Sequence, residues 1–472
     1  MATESTQAAA VPSPSTNVGY VVLIAAAAAL GGFLFGFDTA VINGAVLALK
    51  NEFNTTSVGI GLSVSLALLG SATGAFFAGP LADRIGRVRC MVIAAILFMV
   101  GTIGSGAPFG IGDFIFWRIL GGIGVGAASV IAPAYIAEVS PAEIRGRLGS
   151  LQQLAIVVGI FVALLGDFAF AGAAGSAEAP LWFGLKAWQW MFWSGAVPAI
   201  AYGVCSLVIP ESPRYLVAQG RDAEAEGVLA SIIGARARAK VEEIRHTVNR
   251  EHKPRLSDLR GKWGLLPIVW IGMGLSMFQQ FVGINVIFYY GSALWRIIGF
   301  TEQNALIITM ITGVTNIVTT LVAIAFIDKF GRKPLLLVGS LGMVVTLGIT
   351  AWIFGTSPVD AEGFPVLSRE SGLVALIAAN GYVFCFGFSW GPVVWVLLGE
   401  MFNNMIRASA LALSAAVQWV ANFIVSTTFP PIAYNLGLGV AYGLYAAFAA
   451  LSFVFVIAFI RETKGKKLEE MR

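Results

Sequence analysis

Residues 83–87 read DRIGR and lie between two apolar stretches, and residues 328–332, which read DKFGR, lie between two others. The two segments are about 250 residues apart in a chain of 472. Three pairs of charged residues recur at a similar offset. The pairs are Glu138 and Glu400, Arg145 and Arg407, and Glu211 and Glu462. Internal repeats of this kind predict a membrane fold built from two similar halves.

The composition indicates that much of the chain lies in lipid rather than in water. Apolar residues make up 57% of the sequence and charged residues 12%, whereas soluble proteins carry about 25% charged residues. The apolar stretches are long enough to cross a hydrocarbon layer of roughly 30 Å as helices of about 20 residues. Backbone polar groups in lipid must bond within the chain, and barrel strands would show short alternating segments instead. The sequence therefore predicts an all-α membrane protein.

Twelve apolar stretches divide the chain. Their predicted bounds are 19–47, 58–82, 90–108, 113–138, 147–171, 187–209, 263–298, 305–327, 334–356, 372–399, 407–434 and 438–460. The predicted segments are a disordered cytoplasmic tail at 1–18, a six-helix bundle at 19–209, a cytoplasmic linker with short helices at 210–262, a second six-helix bundle at 263–460 and a cytoplasmic tail at 461–472. Two pseudo-symmetric bundles are thus expected.

The basic residues predict the orientation. If the tails, the linker and every second loop share one side, that side holds 25 of the 30 Lys and Arg residues. The positive-inside rule places this side, with both termini, in the cytoplasm. We expect a multi-pass protein of the cell membrane whose partner is the lipid bilayer, and no binding of nucleic acid by the basic linker. The short loops fit a bacterial inner membrane.

No pattern in the sequence predicts a disulfide framework, a metal site or an enzyme. The three cysteines, Cys90, Cys205 and Cys385, fall within apolar stretches without ligand spacing. The glycine-rich run at 121–126 lacks the preceding strand that a dinucleotide-binding loop requires. Small residues at a helix contact explain that run better.

Five motifs carry a resemblance to a known family. Besides the two repeated loops, they are ESPR at 211–214, QQFVGIN at 279–285, and WGPVVW at 390–395 followed by Glu400. From Gly31 to Glu470 the sequence resembles the sugar porters of the major facilitator superfamily. One departure is Arg461, where the family's closing motif usually has proline. The resemblance implies transport of a sugar between two helical bundles by alternating access.

Polar side chains within apolar spans are costly in lipid and predict positions that face a cavity. They are Gln153, Gln279, Gln280, Asn285, Asn316, Gln418 and Asn422. Aromatic candidates for the walls are Phe35, Phe288, Tyr289, Tyr290, Trp390, Trp395 and Trp419. The alternative is that the amides only bond a neighbouring helix and the aromatic rings form interfacial belts.

The resemblance assigns sugar contacts to some of these positions. It implies substrate binding by Gln153, Gln279, Gln280, Asn285, Asn316, Gly391, Trp395 and Trp419. Gln418 and Phe35 are added as candidates from their residue types, whereas Asn422 is interpreted as packing. Ile160 lies on the face of Gln153, where the resembling xylose symporter has an amide and glucose carriers tend to be aliphatic. This position favours a hexose.

Asp38 is the outstanding acid within the predicted spans, and Arg118 lies at a similar depth in the fourth span. Pairing favours the ionised acid and desolvation the protonated one, so a change in their separation would move a proton. The alternative is a permanent structural ion pair. Asp167 lies nearer a span end and is expected to be hydrated, and both histidines fall in the linker. In the resembling family, proton-coupled members carry Asp at the position of Asp38.

Charged residues at the cytoplasmic ends of the spans are predicted to act in gating. They are Arg87, Glu138, Arg145 and Glu211, and their counterparts Arg332, Glu400, Arg407 and Glu462. Such charges can hold the two bundles together when the cytoplasmic side is closed, or they can be simple interfacial anchors. The repeat and the resemblance favour gating.

The residues and the resemblance together predict proton-coupled symport of a hexose, with glucose the expected sugar. A passive facilitator, a symporter of a pentose or cyclitol, and a sugar sensor remain alternatives. We expect no cofactor other than the proton as coupling ion, a monosaccharide as the ligand, and function as a monomer.

Overall fold

Twelve helical spans form the body of the computed structural model, which describes residues 17–141, 144–250, 256–262, 264–360, 364–402 and 406–462. In the first half the helices are α1 Val18–Glu52, α2 Ser57–Ile85, α3 Arg87–Gly106, α4 Ile111–Val139, α5 Arg145–Ala174, α6 Ala187–Ser194 and α7 Ala196–Val208. Helices α6 and α7 together make one span. The predicted all-α class and the number of spans are confirmed.

The second half follows after a linker. Its helices are α11 Pro267–Phe281, α12 Ile284–Ile297, α13 Glu302–Phe330, α14 Arg332–Thr356, α15 Arg369–Gly387, α16 Trp390–Met401, α17 Arg407–Asn435 and α18 Leu438–Phe459. Helices α11 and α12 share one span, as do α15 and α16. The apolar stretches 263–298 and 372–399 predict continuous spans, and the structure shows that both are broken.

Between the halves lie three short helices, α8 Pro213–Ala218, α9 Asp222–Ile233 and α10 Ala237–Arg250, and a two-stranded ribbon of β1 Arg260–Gly261 and β2 Gly264–Leu265. The helices surround a small apolar core of their own. They are attached to the first half, because the Tyr215 hydroxyl donates to the Arg84 carbonyl at 3.2 Å and the Asn17 amide to the Ile232 carbonyl at 2.9 Å.

The break between α11 and α12 is made by Gly283, whose φ of 84° lies in the left-handed region. A Cβ there would also lie 2.6 Å from the ring of Tyr445. The Val282 carbonyl at the break accepts a hydrogen bond from the Tyr382 hydroxyl at 2.7 Å. A broken span is tolerated in lipid when such partners replace the lost helical hydrogen bonds.

The two halves contact each other mainly through three helix pairs: α1 with α12, α2 with α17, and α5 with α13. An even number of spans puts Asn17 and Glu462 on the same side of the bundle, which is called the terminal side here. The opposite side is called the distal side. The hydrogen bonds found between the halves among the described residues lie toward the distal side.

Asn43 makes the most extensive of these hydrogen-bonded contacts. Its side-chain amide donates to the carbonyl of Phe288 at 3.0 Å and to that of Ile287 at 3.3 Å. Its Oδ1 accepts from the Ser292 amide at 3.1 Å, and the Ser292 hydroxyl donates to the Asn43 carbonyl. Asn43 is 1% exposed, so these groups exchange no bonds with solvent in this conformation.

Further contacts surround Asn43 on the distal side. The Lys50 ammonium donates to the Tyr434 hydroxyl at 3.2 Å and lies over its ring. The Ala177 amide donates to Glu302 at 2.7 Å. The Thr427 hydroxyl donates to Ser65 at 2.6 Å. These bonds hold the halves together at the distal side.

Replacing Asn43 by alanine is expected to weaken the distal contact between the halves. Loss of a buried hydrogen-bonded amide costs about 1–3 kcal/mol, so the population with separated distal ends should rise roughly fivefold or more. The separation can be measured by double electron–electron resonance between spin labels at Phe109→Cys and Val366→Cys. These are two exposed positions in distal loops of different halves. The three native cysteines would be replaced first.

Asn380→Ala is the matched control. Asn380 donates to the Leu376 carbonyl at 3.1 Å and accepts from the Thr312 hydroxyl at 3.2 Å, all within the second half. Its loss should leave the label separation unchanged. An Asn43→Ala distribution identical to that of Asn380→Ala would contradict the assigned role.

Candidate functional site

The ion pair of Asp38 and Arg118 joins α1 to α4 inside the first half. Their side chains are 12% and 6% exposed. Arg118 Nη1 donates to Asp38 Oδ1, and Nη2 lies 3.3 Å from Oδ2 and 3.4 Å from the Asp38 carbonyl oxygen. The guanidinium also lies 5.7 Å from the ring centre of Phe192. The pairing anticipated from span depth is therefore present.

A small cavity opens beside this ion pair and is lined by both halves. Its polar lining is Asp38, Thr39, Ser71 and Arg118, and its aromatic lining is Phe35, Tyr289 and Trp419. The rings of Phe35 and Trp419 lie 5.4 Å apart and close one wall from opposite halves. Asp38, an acid whose charge can change, thus adjoins residues of both halves. The positions of these residues depend on how the halves are arranged.

Three of the predicted amides form one hydrogen-bonded chain across the break in the seventh span. Asn285 donates to Gln280 Oε1 at 2.7 Å, and Gln280 donates to Gln279 Oε1 at 3.3 Å. Gln279 donates in turn to the carbonyls of Trp390 and Gly391 at 3.0 and 3.2 Å. These hydrogen bonds therefore connect the broken seventh and tenth spans. They bring together four of the predicted substrate residues, which are Gln279, Gln280, Asn285 and Gly391.

The other predicted substrate residues lie at separate positions in the bundle. Asn316 is buried on α13 beside Gly387 of α15, and Ile160 is buried on α5. Gln153 and Gln418 are half-buried, and Gln418 Oε1 has no hydrogen-bond partner among the described residues. Trp395 remains 38% exposed, whereas Trp419 is 9% exposed. An unpartnered amide oxygen and an accessible indole are suited to binding a polar ligand with apolar faces.

Several polar residues of this region were missed by sequence reasoning. Asn43 and Thr39 follow Asp38 on α1 but carry no motif, and Gln152 is more deeply buried than its predicted neighbour Gln153. Asn422, interpreted as packing, donates to the Tyr289 hydroxyl at 3.3 Å and accepts from the Ser426 hydroxyl at 3.1 Å. The one signal in the sequence that could have identified Asn43 is that it is a polar residue inside an apolar span.

The expectation that Asp167 is hydrated is wrong. Asp167 is 1% exposed, and its Oδ2 accepts a hydrogen bond from the Gly44 amide of α1 at 2.9 Å. Helix α5 runs on to Ala174, beyond the predicted end at 171, and the buried Ala177 follows. The acid therefore faces α1 inside the bundle and not a loop.

The terminal side of the first half carries a cluster of charges around the start of α3. Arg87 donates to both carboxylate oxygens of Glu138, at 3.1 and 3.0 Å. Glu211 accepts from the backbone amides of Arg87 and Val88 at 3.0 and 3.2 Å, and so caps the N-terminus of α3. Gly86, with φ of 97°, makes room for it, because a Cβ there would lie 2.3 Å from Glu211.

The second half repeats this arrangement at the start of α14. Arg332 donates to both oxygens of Glu400, at 3.0 and 2.7 Å. Glu462 accepts from the amides of Arg332 and Lys333 at 3.0 and 2.9 Å, and Gly331 has φ of 90°. Helix α18 ends at Phe459, even though position 461 is arginine and not the proline that the family's closing motif usually has.

Both charge clusters join helices of the same half among the described residues, and this differs from the expected contact between halves. Arg145 and Arg407 are the first residues of α5 and α17. Their side chains lie outside the described part of the structure.

Comparison with known proteins places this architecture in a family. The family model described as "Sugar (and other) transporter" matches residues 24–472. The glucose transport protein of Synechocystis sp. is 65% identical over 98% of this chain and 99% of its own length. The D-xylose-proton symporter of Escherichia coli K12 is 38% identical over 96% of each chain.

A solved structure gives the same result for the fold. The partially occluded inward-open conformation of the xylose transporter XylE from E. coli superposes with a TM-score of 0.82, at 37% identity over 95% of this chain and 100% of that one. The resemblance stated from the motifs is confirmed, and this multi-pass membrane protein belongs to the sugar transporter family of the major facilitator superfamily.

Proposed function

We propose that the protein is a secondary active transporter that carries a hexose, with glucose as the expected substrate, together with a proton by alternating access. The observation that carries the proposal is the buried Asp38–Arg118 pair beside a cavity lined from both halves. The similarity to a glucose transport protein supports the sugar, and the similarity to a D-xylose-proton symporter supports the coupling ion.

The arrangement of contacts supports an inward-facing conformation. Asn43, Lys50 and Glu302 hold the halves together at the distal side. The matching XylE structure is a partially occluded inward-open conformation. We infer that the distal side is the outside of the cell and that both termini are cytoplasmic, as the distribution of basic residues indicates.

The chemistry of coupling follows from the two alternatives open to Asp38. Beside Arg118 the carboxylate is stabilised as an anion, whereas separation from Arg118 in a dry site favours the protonated form. The cavity wall formed by Phe35 and Trp419 moves when the halves move, and this changes the access of water to the pair. A proton would bind from one side in one conformation and leave to the other side after the change.

Sugar recognition is assigned to the amide chain and its aromatic surroundings. The Gln279, Gln280 and Asn285 amides are already oriented by one another, which reduces the entropy lost on binding. The Trp395 indole and the unpartnered Gln418 oxygen offer an apolar face and an acceptor. Because both halves of one chain line the cavity beside this region, we infer that a monomer suffices, without a cofactor other than the proton.

Asp38→Asn should abolish accumulation of sugar against its gradient and leave sugar counterflow intact, because the neutral amide cannot exchange a proton. The measurement is uptake of labelled glucose, galactose, xylose and inositol into proteoliposomes, with and without an imposed pH gradient. Asp113→Asn, at the distal start of α4, is the control and should still accumulate sugar.

The same experiment separates the alternatives. Uphill uptake that survives in Asp38→Asn would remove the coupling role of this acid. Wild-type uptake that never exceeds equilibrium would identify a facilitator, and a preference for xylose or inositol would change the substrate. Binding of sugar without any flux would identify a sensor.

Gln280→Ala is expected to raise the Km for the sugar about tenfold. Gln280 is the central member of the amide chain, and loss of a hydrogen-bonded group from such a site costs about 1–2 kcal/mol. Initial rates of counterflow give the Km, and Gln303→Ala on the distal part of α13 is the control. An unchanged Km with a reduced maximal rate would assign Gln280 to conformational change rather than to binding.

Glu400→Gln should shift the conformational balance without preventing folding. The Arg332–Glu400 pair lies within one half in this conformation, and we infer that the terminal charge clusters also contact the other half when the cytoplasmic side closes. Partly exposed pairs contribute at most about 1 kcal/mol each. The population closed at the distal side should rise by up to roughly fivefold, measured with the Phe109 and Val366 label pair. Glu243→Gln in the linker is the control, and equal distributions in both variants would contradict gating by Glu400.

A further inference from the structure

Asp167 is a second buried acid whose surroundings differ from those of Asp38. Its Oδ2 accepts one hydrogen bond, from the Gly44 amide, and its Oδ1 has no partner among the described residues. It is the only ionisable side chain among the described side chains of α5. The acid is packed so closely against α1 that a Cβ on Gly44 would lie 2.7 Å from Asp167 Cγ.

Charged groups on the helices packed around Asp167 are bonded elsewhere. On α1, Asp38 pairs with Arg118, Lys50 binds Tyr434 and Glu52 pairs with Lys186. Asp113 of α4 accepts from the Phe109 amide, and Glu302 of α13 pairs with Arg296. Asp167 therefore has no cation beside it in the described part of the chain.

An isolated buried carboxylate is expensive in a dry interior, because neither water nor a counter-ion compensates its charge. The cost remains large after the protein relaxes, so such a group binds a proton instead. Asp38 escapes this cost through Arg118. Asp167 has no such compensation while the distal side is closed.

The position of Asp167 connects its burial to the contact between the halves. On α5, Phe161 and Leu164 face α13, since a Cβ on Gly313 would lie 3.4 and 3.2 Å from them. Asp167 follows Leu164 by three residues and lies about 60° around the helix from it. Its partner Gly44 adjoins Asn43, which binds α12. Separation of the halves at the distal side would bring water close to this acid.

We propose that Asp167 is a second proton-binding residue, which holds a proton while the distal side is closed and exchanges it with the distal solution when that side opens. The proposal rests on alternating access and is independent of the role given to Asp38. In the hydrated open state water stabilises the carboxylate, so the acid releases its proton to the distal solution. Closing the distal side then requires proton uptake, so acid on that side favours closure.

The test measures the pH dependence of distal closure in the Asp38→Asn background, where Asp38 cannot titrate. The Phe109 and Val366 label pair in proteoliposomes reports the ratio of closed to open populations. One linked proton changes this ratio about tenfold per pH unit. We expect the ratio to rise in this way as the pH falls from about 8 to 5, and to become independent of pH in the double variant Asp38→Asn, Asp167→Asn.

Equal pH dependence in the single and double variants would overturn the proposal, as would a pH-independent ratio in Asp38→Asn. Failure of the proposed symport would show instead as wild-type sugar uptake that never exceeds equilibrium, which this readout does not use. The two outcomes are therefore distinguishable.

A second measurement does not require any change of Asp167. In Asp38→Asn protein labelled with carbon-13 aspartate, the carbonyl band of a protonated carboxylic acid should be present in the infrared spectrum at neutral pH and should carry the isotope shift. The other described aspartates lie near helix ends or in loops, outside the middle of the spans. Absence of the shifted band would exclude a protonated Asp167.

Discussion

The structure depends on one constraint, which is that a hydrocarbon layer offers no hydrogen-bond partner to a polar group. A break, an acid or an amide inside the spans is therefore costly unless another part of the same chain satisfies it. The break at Gly283 is tolerated because Tyr382 donates to the freed Val282 carbonyl. The second broken span is tied to the first by Gln279, which donates to the carbonyls of Trp390 and Gly391. The proposed substrate region thus includes Gln279, the residue that connects the two broken spans.

The repeated charge clusters show how one local solution serves both halves. In each, a carboxylate caps the first amides of a span, and a glycine with positive φ leaves space for it. The arginine that starts the span then binds a glutamate from another helix of the same half. These bonds join helices of each half at its terminal end, as the movement of two bundles as rigid bodies would require.

Hydropathy was sufficient to predict the twelve spans, because each span needs a long apolar stretch whatever its neighbours are. The pairing of Asp38 with Arg118 was also predictable, since the two charges had no other means of compensation at that depth. The breaks in the spans and the contacts of Asn43 were not predictable from the sequence. Asn43 binds backbone carbonyls about 244 residues away, and such contacts depend on how the halves are placed and leave no pattern in the sequence.

The hydration of Asp167 was misjudged because distance from a span end is a poor measure of burial in a bundle. What decides the state of an acid is the side of the helix on which it lies and the charge of what it meets there. Asp38 and Asp167 belong to the same half, yet among the described residues only Asp38 meets a cation. In the proposed mechanism Asp38 responds to the movement of Arg118, whereas Asp167 responds to water alone. Two acids of one residue type can therefore report on different events in one transport cycle, one on the cavity and the other on the contact between the halves.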